Sequence, residues 1–514
     1  MKPIINKTLY QQGMQCKKMM WLNRHMPSAI AQPTEFDKIV IETGIQIGRL
    51  AHQLFPNGVE VPKSLISCEA RVEATKELID AGVETIFEAT FSHDDVEVRV
   101  DIFNKTLEGY ELLEVKSSTK EKKIQKYVTD LSIQNHIVSV SGYKVARSQL
   151  IMLDEGYQRQ QSLEIKKLFK FIDVSNEVAQ LQNNIPQTIS EFTDVILSNQ
   201  EPDIDIGCHC HAPDKCRAKT YCWEVQKRLP KYSPINIFTL GERSLQLYHD
   251  GIVQIKDIPS DYKTTELQQF YIDQWCNKSI HVDYEEINEF LTNLVYPLFH
   301  LDFESSNPAV PQHPNSRPYQ QIPFQYSLHV EQENGKLEHF EYLHDSKTDP
   351  REELIQKLMV DLKGGSESSS IMVYSSFEEK ILSALARDFP EYSDQLQLLI
   401  DRIVDLGKLF QKRHYYSYEM HKKWSIKTVM PLLVPEMKND YLDLQSVGKV
   451  SSGEGAILAF RKLQVLTDEK ALSSIRQDLL DYCELDTKAM VEVLKAIRVI
   501  AKKGKVFEPV KEIC

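Results

Sequence analysis

Two acidic residues and a lysine in the first third of the chain could support metal-dependent chemistry. Glu114 and Lys116 are two positions apart in YELLEVKSS, and the alternating pattern predicts a strand that points both side chains to one face. Asp101 ends the preceding predicted strand, where its carboxylate could lie beside Glu114. Two carboxylates on adjacent strands can hold Mg²⁺ or Mn²⁺, and a neighbouring lysine can orient or deprotonate an attacking water. By itself, an E-x-K triplet is common and mostly marks a solvated strand face.

A second acidic group is spread over the last part of the chain. Asp302 and Glu304 in FHLDFESS share one strand face, and burying such a pair is costly unless a metal neutralises it. Tyr482 and Asp486 are four positions apart in the helical pattern LLDYCELDTKAMVEVLKAI, so they share one helix face. Glu378 lies between these segments, where a predicted strand, VYSS, runs into a helix, FEEKIL. Each of these short motifs misleads often when it stands alone.

The third group is rich in cysteine. Cys208, Cys210, Cys216 and Cys222 lie close together in CHCHAPDKCRAKTYCW, and Cys16 is the candidate for a distant further ligand. In a cytosolic chain such cysteines are thiols, metal ligands or catalytic groups rather than disulfides. A tetrahedral thiolate site suits either zinc or an iron–sulfur cluster, and the spacing alone does not decide between them. The scattered cysteines, which we expect to be ordinary, are Cys68, Cys276, Cys483 and Cys514.

Two mixed α/β arrangements are needed to position these groups. Alternation between residues 84 and 117 predicts three antiparallel strands, followed by a helix, YVTDLSIQNHIVSVSG, and another strand, SQLIMLD. The last part begins with the strand of FHLDFESS and continues with a hairpin that turns at Asn334-Gly335, a helix and the short strand SIMVYSS. This order predicts a mixed sheet flanked by helices. Residues 228–293 have a helical pattern that suits a spacer.

Length and composition limit the classes of protein to which the chain can belong. With 514 residues the chain is too long for one core, so we expect two domains and a connector. The N-terminal segment lacks a signal-peptide pattern and no apolar run approaches the roughly 20 residues that span a bilayer, so we expect a cytoplasmic protein without a membrane partner. The net charge of −13 counts against long-range attraction to nucleic acid. That objection is not decisive, because metal-dependent nuclease sites are themselves rich in carboxylates.

The order of the motifs in the first part resembles the PD-(D/E)XK nuclease superfamily, in its RecB-like branch. The residues that carry the resemblance, in the order that the family requires, are Gly48, His52, Asp101, Glu114, Lys116 and Gln134. The resemblance implies that the histidine and the two carboxylates bind Mg²⁺ or Mn²⁺, that the lysine is catalytic and that the glutamine helps to hold the site. Val138 departs from the pattern, because a tyrosine often stands at that position. Glu88 is a further candidate carboxylate, with an exposed strand residue as the alternative.

The cysteine layout resembles that of RecB-like nucleases of the CRISPR-associated and AddB types. Those proteins carry one cysteine before the nuclease core and three after it, and the four bind a [4Fe–4S] cluster. The ligands that the resemblance implies here are Cys16, Cys210, Cys216 and Cys222. Cys208 is then a spare that could exchange roles with Cys210. The implied role of the cluster is structural, because it closes a long loop around the nuclease core.

The second acidic group resembles the three motifs of RNase H-like DEDD exonucleases of the tyrosine subtype. The implied ligands of two metal ions are Asp302, Glu304, Glu378 and Asp486. Tyr482 would position the attacking water. The middle motif departs from the family, which usually has Asn and Asp where this chain has Ser375 and Glu378. Asp405 is the fallback ligand if Glu378 is not one.

The segments RIVDLGKLF and WSIKTVMPLL further resemble a bacterial family that joins a RecB-like nuclease to this exonuclease-like domain. The predicted fold class is therefore α/β, with a restriction-endonuclease-like domain at 1–228, a helical connector at 229–290 and an RNase H-like domain at 291–514. The predicted function is hydrolysis of phosphodiester bonds on single strands or ends, in DNA more than in RNA. No G-x-x-x-x-G-K-[ST] loop occurs, so no nucleotide-driven motor is expected. The alternative is a non-catalytic nucleic-acid-binding or scaffold protein with one or both sites decayed.

Overall fold

The structure is a computed structural model that describes residues 5–345, 347–364 and 368–505, so Cys514 lies outside the described residues. The chain divides into two compact units. Unit 1 comprises Met1–Val253 and Ala309–Pro318, and unit 2 comprises Gln254–Pro308 and Tyr319–Cys514. Both units are mixed α/β, which confirms the broad fold class predicted from the sequence. No helix within the described ranges has the length and apolar character needed to cross a membrane.

Unit 1 contains the strands and helices predicted for residues 84–153, together with further short elements. Its strands are β1 (Ile5–Asn6), β2 (Val59–Glu60), β3 (Thr85–His93), β4 (Val96–Lys105), β5 (Tyr110–Lys116), β6 (Val145–Leu153) and β7 (Phe169–Asp173). Its helices are α1 (Lys7–Gln15), α2 (Lys17–His25), α3 (Glu35–His52), α4 (Cys68–Asp80), α5 (Ile124–Val140), α6 (Ile165–Leu168), α7 (Ser175–Leu181), α8 (Ile185–Leu197), α9 (Pro234–Phe238) and α10 (Glu242–His249). A π-helical turn at Tyr221–Gln226 follows the cysteine-rich segment.

One mixed sheet organises unit 1. Its strands follow the order β2-β3-β4-β5-β6-β7, and β1 pairs with β4. The β3–β4, β4–β5 and β6–β7 pairs are antiparallel, whereas β5 and β6 are parallel and are connected through α5. On one face Leu112 of β5 packs with Leu131 of α5, and on the other Leu113 packs with Ile47 of α3. Side chains at alternate positions of β5 therefore face α5, and Glu114 is one of them.

Asp101 lies within β4, not at its end as the sequence pattern predicted, because β4 continues four residues further. Regular pairing of β4 with β5 stops one residue short of Asp101 and Glu114. The carboxylate of Asp101 instead accepts a hydrogen bond from the backbone N–H of Val115 at 2.8 Å. On the other side of β4, Glu88 has a φ of 57° and is left out of the β3–β4 pairing. The regular pairing of β4 is therefore interrupted at Asp101 on both sides.

The residues predicted to form a helical connector, 229–290, are divided between the two units. Their first part belongs to unit 1, because Ile235 of α9 is buried in a cluster with Cys210 and Trp223. Residues 309–318 also return to unit 1, where the Arg159 guanidinium donates to the carbonyl of Pro311 at 2.9 Å. These contacts join segments that are distant in sequence. A domain boundary drawn from sequence patterns therefore does not show that either segment belongs to unit 1.

Unit 2 contains the predicted hairpin and a sheet that the last part of the chain completes. Its strands are β8 (Ile280–Val282), β9 (Leu298–Ser306), β10 (Ile322–Glu331), β11 (Leu337–Leu343), β12 (Ile371–Val373), β13 (Ile403–Asp405) and β14 (Tyr415–Ser417). Its helices are α11 (Glu266–Asn277), α12 (Tyr284–Thr292), α13 (Arg351–Asp361), α14 (Phe377–Asp388), α15 (Ser393–Ile400), α16 (Lys408–Gln411), α17 (Ile426–Leu433), α18 (Asp440–Ser446), α19 (Gly453–Leu463) and α20 (Glu469–Lys505). The strand β8 lies within the predicted helical connector and pairs with β14. The turn at Asn334-Gly335 is confirmed, and Gly335 has the positive φ, 83°, that such turns use.

The main sheet of unit 2 follows the order β11-β10-β9-β12-β13. The β9–β10 and β10–β11 pairs are antiparallel, and the β9–β12 and β12–β13 pairs are parallel. On one face Leu301 and Phe303 of β9 pack in an apolar core with α13, α14 and α15. Since neighbouring residues of a strand alternate between faces, Asp302 and Glu304 of β9 lie on the opposite face. The prediction of a mixed sheet flanked by helices is confirmed.

The helix α20 crosses that opposite face, and its contacts with the sheet are polar. Gln325 of β10 donates to the carbonyl of Leu479 at 2.8 Å, and Arg498 donates to Glu331 at 2.5 Å. Polar groups taken from water need partners, and these pairs supply them. The contact between α20 and the sheet is therefore a polar layer, and this layer contains the acidic residues of β9.

Candidate functional site

Three carboxylates predicted for the second site come together in unit 2. Asp302 and Glu304 lie on β9, and Asp486 lies on α20. One carboxylate oxygen of each residue lies within 4.8 Å of those of the other two. Glu304 and Asp486 are only 7% and 8% exposed. Oxygen ligands in this arrangement can reach a shared divalent cation of the Mg²⁺ or Mn²⁺ type.

Glu378 faces these three carboxylates from the first turn of α14, although it is not in the group whose ligand atoms all lie within 4.8 Å. It lines the same cavity as Asp302, Glu304 and Asp486, and its Oε2 has no hydrogen-bond partner among the described residues. The chain turns from β12 into α14 at Ser375, which has a φ of 145°. We refer to Asp302, Glu304, Glu378 and Asp486 as the unit 2 carboxylate cluster. The fallback ligand, Asp405, lines a different cavity.

Burial raises the pKa values of all four carboxyl groups, and mutual repulsion adds to this increase for Asp302, Glu304 and Glu378. Burial, together with the charge of Asp486, raises the pKa of Glu304 to about 8. Burial also raises the pKa of Glu378 to about 8, and Asp405 and Asp486 add to that increase. The pKa of Asp302 lies well above its ordinary value for the same reasons. Closely spaced acidic groups cannot all ionise at neutral pH, so the cluster holds protons unless a cation replaces them.

Lys427, Tyr441 and Tyr482 border the cluster. The ammonium group of Lys427 on α17 donates to the Tyr482 hydroxyl at 2.7 Å and lies 4.5 Å from the centre of its ring. The Tyr441 hydroxyl donates to Oδ1 of Asp486 at 2.5 Å. Burial raises the pKa of Tyr482 far above its ordinary value, so its hydroxyl stays protonated at neutral pH. Sequence reasoning missed Lys427 and Tyr441, because neither has a motif spacing that relates it to the acidic residues.

Unit 1 brings Asp101, Glu114 and Lys116 together, but with lysines paired to the carboxylates. Oε1 of Glu114 accepts hydrogen bonds from Lys116 at 2.6 Å and from Lys7 at 2.7 Å. Oε2 of Glu114 accepts a hydrogen bond from Gln134 of α5 at 2.8 Å. Protein donors therefore occupy both oxygens of the predicted metal ligand.

A further buried acid, Asp130 of α5, also belongs to this group. It accepts a hydrogen bond from Lys116 at 2.7 Å and lies 3.7 Å from the ammonium group of Lys7. Asp130 precedes Gln134 by one helical turn, and this spacing was the signal that could have revealed it. Lys7 comes from the start of α1 and has no such signal. The residues that we call the unit 1 charge cluster are Lys7, Asp101, Glu114, Lys116 and Asp130.

The lysines set the protonation states of unit 1. Burial and the charge of Glu114 raise the pKa of Asp101 to about 7. Burial alone would raise the pKa of Glu114, but Lys116 and Lys7 outweigh it and hold that pKa well below its usual range. Burial alone would lower the pKa of Lys116, but Glu114 and Asp130 outweigh it and raise that pKa. In this arrangement Lys116 is a firmly protonated donor and cannot take a proton from water.

The structure does not bring His52 to the two carboxylates of unit 1. His52 is the last residue of α3, and its ring stacks on Phe87 with a centroid distance of 3.8 Å. Within the described ranges, His52, Asp101 and Glu114 do not form a group whose ligand atoms all lie within 4.8 Å. Glu88 is closer to the site, since its charge helps to raise the pKa of Asp101.

The four cysteines predicted as cluster ligands line one small cavity of unit 1, and they are Cys16, Cys210, Cys216 and Cys222. Cys208 is exposed and does not line that cavity. In the described part of the chain, no three of the cavity's cysteine sulfurs all lie within 4.8 Å of one another. Burial raises the pKa values of Cys216 and Cys222 to about 11, so these thiols stay protonated unless a metal displaces the protons.

A comparison with protein families gives one match within unit 2. Residues 299–425 match a family model described as a domain of unknown function, DUF2779. The matched range contains Asp302, Glu304 and Glu378 and ends before Tyr482 and Asp486. A search of curated proteins gives no match to the chain.

Proposed function

We propose that the protein is a metal-dependent nuclease that hydrolyses phosphodiester bonds at the ends of single strands, in DNA more than in RNA. The observation that carries the proposal is the unit 2 carboxylate cluster, which is buried, faces a cavity and forms no ion pair with a lysine or arginine among the described residues. Its residues follow the motif order of the RNase H-like DEDD exonucleases. A buried carboxylate without a counter-charge is costly, and a bound cation removes that cost.

The roles follow from the positions of the side chains. The residues that would hold Mg²⁺ or Mn²⁺ are Asp302, Glu304, Glu378 and Asp486. Two such ions about 4 Å apart would stabilise the attacking and leaving oxygens of the phosphate. Tyr482 would orient the attacking water through a hydroxyl that stays protonated. Lys427 holds that hydroxyl in place and adds a positive charge beside the anionic substrate.

Glu378 is the residue that departs from the family pattern, and its position supports a ligand role. Its side chain is one methylene longer than aspartate, and the α14 turn directs it into the same cavity as the other three carboxylates. Its Oε2 has no hydrogen-bond partner among the described residues, which leaves a lone pair available to a cation. Asp405 accepts a hydrogen bond from the backbone N–H of Gly407 at 2.8 Å and lines another cavity, so Glu378 is the better candidate.

We also propose a second nuclease site, of the PD-(D/E)XK type, in unit 1. Asp101 and Glu114 would bind the metal, with Lys116 as the catalytic lysine. Lys7 and Lys116 share Oε1 of Glu114, so metal binding requires this ion pairing to rearrange. His52 would join the ligands only after its ring leaves Phe87. We therefore expect weaker metal binding here than in unit 2.

A [4Fe–4S] cluster held by the four cavity cysteines is also proposed. Sulfurs around one zinc ion lie about 3.8 Å apart, as Zn–S bonds of about 2.3 Å in a tetrahedron require. No three of these sulfurs come that close together in the part of the chain that the structure describes, and the cysteine layout resembles that of the [4Fe–4S] nucleases, so we favour a cluster of several irons over one zinc ion. Iron and acid-labile sulfide should therefore copurify with the protein under anaerobic conditions, and Cys16→Ser should lose both. A colourless protein that contains zinc instead of iron would contradict this part of the proposal.

The activity is tested with end-labelled single-stranded DNA and RNA, Mn²⁺ and anaerobically purified protein. Wild type is compared with Asp302→Asn, Lys116→Met and the double variant. Glu492→Gln is the matched control, because it neutralises a carboxylate of α20 outside the cluster. We expect Asp302→Asn to lower exonuclease activity at least about a hundredfold, since even outer-shell changes cost 10–100-fold at metal sites.

The outcomes separate the two units and the rival function. If each single variant removes a distinct part of the activity and the double variant is inactive, both sites cut nucleic acid. Equal activity of wild type and double variant would show that catalysis does not occur at these residues. Binding of labelled strands without degradation would support a nucleic-acid-binding or scaffold protein instead.

A further inference from the structure

A second group of metal-type ligands lies in unit 2, apart from the carboxylate cluster. It consists of His329 on β10, His339 on β11 and Glu484 on α20, and one ligand atom of each lies within 4.8 Å of the others. The β10–β11 register places the two histidines directly opposite each other, and their ring centroids are 4.5 Å apart. These residues lie in a hairpin and a helix predicted from the sequence, and no metal-binding role was predicted for any of them. The group joins a hairpin to the helix that carries Tyr482 and Asp486.

A chain of hydroxyl groups sets which nitrogen of each imidazole carries its hydrogen. The Thr487 hydroxyl donates to the backbone carbonyl of Glu484 at 3.0 Å, which uses its one hydrogen. In the arrangement in which Thr487 donates there, which we adopt, it accepts from Nδ1 of His329 at 2.8 Å and from the Ser327 hydroxyl at 2.7 Å. Because Ser327 donates to Thr487, it accepts from Nε2 of His339 at 2.9 Å. Both imidazoles are thus N–H donors to hydroxyl groups within the protein.

This tautomer leaves one lone pair on each ring, on Nε2 of His329 and on Nδ1 of His339. Histidines that bind metals almost always donate their other ring N–H to a nearby acceptor, which fixes the ring and the tautomer. Burial, with the neighbouring His339, lowers the pKa of His329 to about 3, so its ring is neutral at physiological pH. A buried neutral imidazole with a fixed tautomer can bind a metal ion without first losing a proton or changing its tautomer.

We propose that His329, His339 and Glu484 form a binding site for a divalent transition metal, with zinc as the expected ion. Two imidazole nitrogens and one carboxylate oxygen are a common donor set for zinc and are poorly suited to Mg²⁺. His329 is buried, whereas His339 and Glu484 are half-buried, so the site opens to solvent on one side. Solvent can therefore supply the remaining ligand.

The metal would bridge β10 and β11 to α20. The polar contacts of α20 with β10 include the Gln325–Leu479 hydrogen bond and the Arg498–Glu331 ion pair. A coordinated ion between these elements would restrict the movement of α20 across the sheet. Glu484 lies only two residues from Asp486, so the site would also hold that residue in place. This inference does not depend on nuclease activity.

Cobalt is the probe, because Co²⁺ replaces zinc and absorbs visible light strongly only in tetrahedral or similar sites. The full-length protein is treated with a chelator, titrated with Co²⁺ and then with Zn²⁺. The site variants are His339→Gln and Glu484→Gln, which preserve side-chain size and hydrogen-bonding capacity. The matched controls are His281→Gln, a half-buried strand histidine of the same unit, and Glu492→Gln on α20. Subtraction of the variant spectra from the wild-type spectrum removes any contribution from cobalt at the cysteines.

We expect wild type and both controls to gain a tetrahedral cobalt absorption at a single equivalent, which Zn²⁺ then removes. Both site variants should lack this absorption, and zinc should no longer raise their unfolding temperature. Asp302→Asn should retain it, because the carboxylate cluster offers only oxygen ligands. Absence of the absorption from wild type, or its persistence in both site variants, would overturn the proposal. Two independent variants keep the test decisive if one of them folds poorly.

Discussion

Both units bury carboxylates beside a strand of a mixed sheet, and they balance the resulting charge differently. In unit 1, Lys7 and Lys116 donate directly to Glu114, and Lys116 also donates to Asp130. In unit 2, four carboxyl groups face one cavity, and Lys427 lines that cavity and partly offsets the rise in the pKa values of Glu304 and Asp486. Lys427 donates its hydrogen bonds to a tyrosine hydroxyl and a backbone carbonyl rather than to a carboxylate.

The difference is visible in the direction of the pKa shifts. The pKa of Glu114 is lowered, because two ammonium groups outweigh the effect of burial. The pKa values of Glu304 and Glu378 are both raised to about 8, because burial acts there without such pairing. Internal ion pairs balance the charge of the buried carboxylates of unit 1 in the absence of a metal. Among the residues that the structure describes, the unit 2 carboxylate cluster has no such ion pairs and is left with a deficit of positive charge. A cation site is therefore better indicated by unpaired buried acids than by acids alone.

The largest expected difference between the two clusters is in how a substitution changes the free energy of unfolding of the metal-free protein. Glu114→Gln should reduce the free energy of unfolding by about 3–5 kcal/mol, because it leaves two lysines in a buried site with one carboxylate fewer. The isosteric change Asp302→Asn should increase the free energy of unfolding, because the folded wild type must hold a proton on this buried carboxyl or bury its charge, and the amide avoids both costs. Chemical denaturation in the presence of EDTA measures both changes.

These two substitutions control for each other, since each replaces one carboxylate oxygen by an amide nitrogen. Opposite signs would support the comparison between the clusters. If both substitutions destabilise the protein to a similar extent, the unit 2 carboxylates have partners that balance their charge, and the argument for a cation there fails. A gain from Asp302→Asn should also become larger as the pH rises, because more of the cluster is then ionised.

The next effect concerns protons and metal in unit 2. Glu304 has an ordinary pKa of 4.5 when unfolded and about 8 when folded, so the folded state binds more protons between these values. The metal-free protein should therefore lose stability as the pH rises through this window. Mn²⁺ must displace those protons, so its binding should strengthen by about 1.4 kcal/mol per pH unit for each proton released.

Calorimetric titration with Mn²⁺ in buffers of different ionisation enthalpy measures the number of protons released. We expect release at about pH 7 and much less at about pH 9, where the cluster has already ionised. Asp302→Asn should abolish this proton-linked binding, and Glu114→Gln should leave it in place. Binding of Mn²⁺ to wild type that is independent of pH would contradict the protonated cluster.

The sequence allowed the strands, the motif residues and the broad α/β class to be predicted, because each depends on short-range patterns. Alternation located β3, β4 and β5, and the Asn-Gly pair located the β10–β11 turn. The predicted ligands Asp302, Glu304 and Asp486 meet because a strand and a distant helix pack on each other. The sequence supplied their order, but only the folded chain shows their proximity.

The neighbours that set the charge of each cluster were not predictable in the same way. Lys7 reaches Glu114 across 107 positions of the chain, and Tyr441 reaches Asp486 across 45. No local period connects such pairs, so their contact depends on the packing of whole elements. His52 shows the opposite case, since it has the spacing that the motif requires but its ring packs on Phe87 instead of joining the carboxylates. Motif order therefore gives candidates for a site, whereas their proximity, protonation and pairing depend on tertiary neighbours.

The smallest expected effect comes from Tyr441, one of the tertiary neighbours of the unit 2 carboxylate cluster. Tyr441→Phe removes the hydroxyl that donates to Oδ1 of Asp486 at 2.5 Å, while Lys427 and Tyr482 keep their own contact. Loss of one such donor costs about 1 kcal/mol, so Mn²⁺ should bind about fivefold more weakly at neutral pH. The midpoint of the pH dependence should also move upward, because the ionised form of Asp486 loses a donor.

The matched change in unit 1 is Gln134→Leu, which removes a donor from Glu114 but leaves both lysines in place. It should lower stability without affecting Mn²⁺ binding to unit 2. If Tyr441→Phe leaves both the affinity and its pH dependence unchanged, the ionised carboxylate of Asp486 does not bind the metal, and the cluster reduces to the residues of β9 and α14.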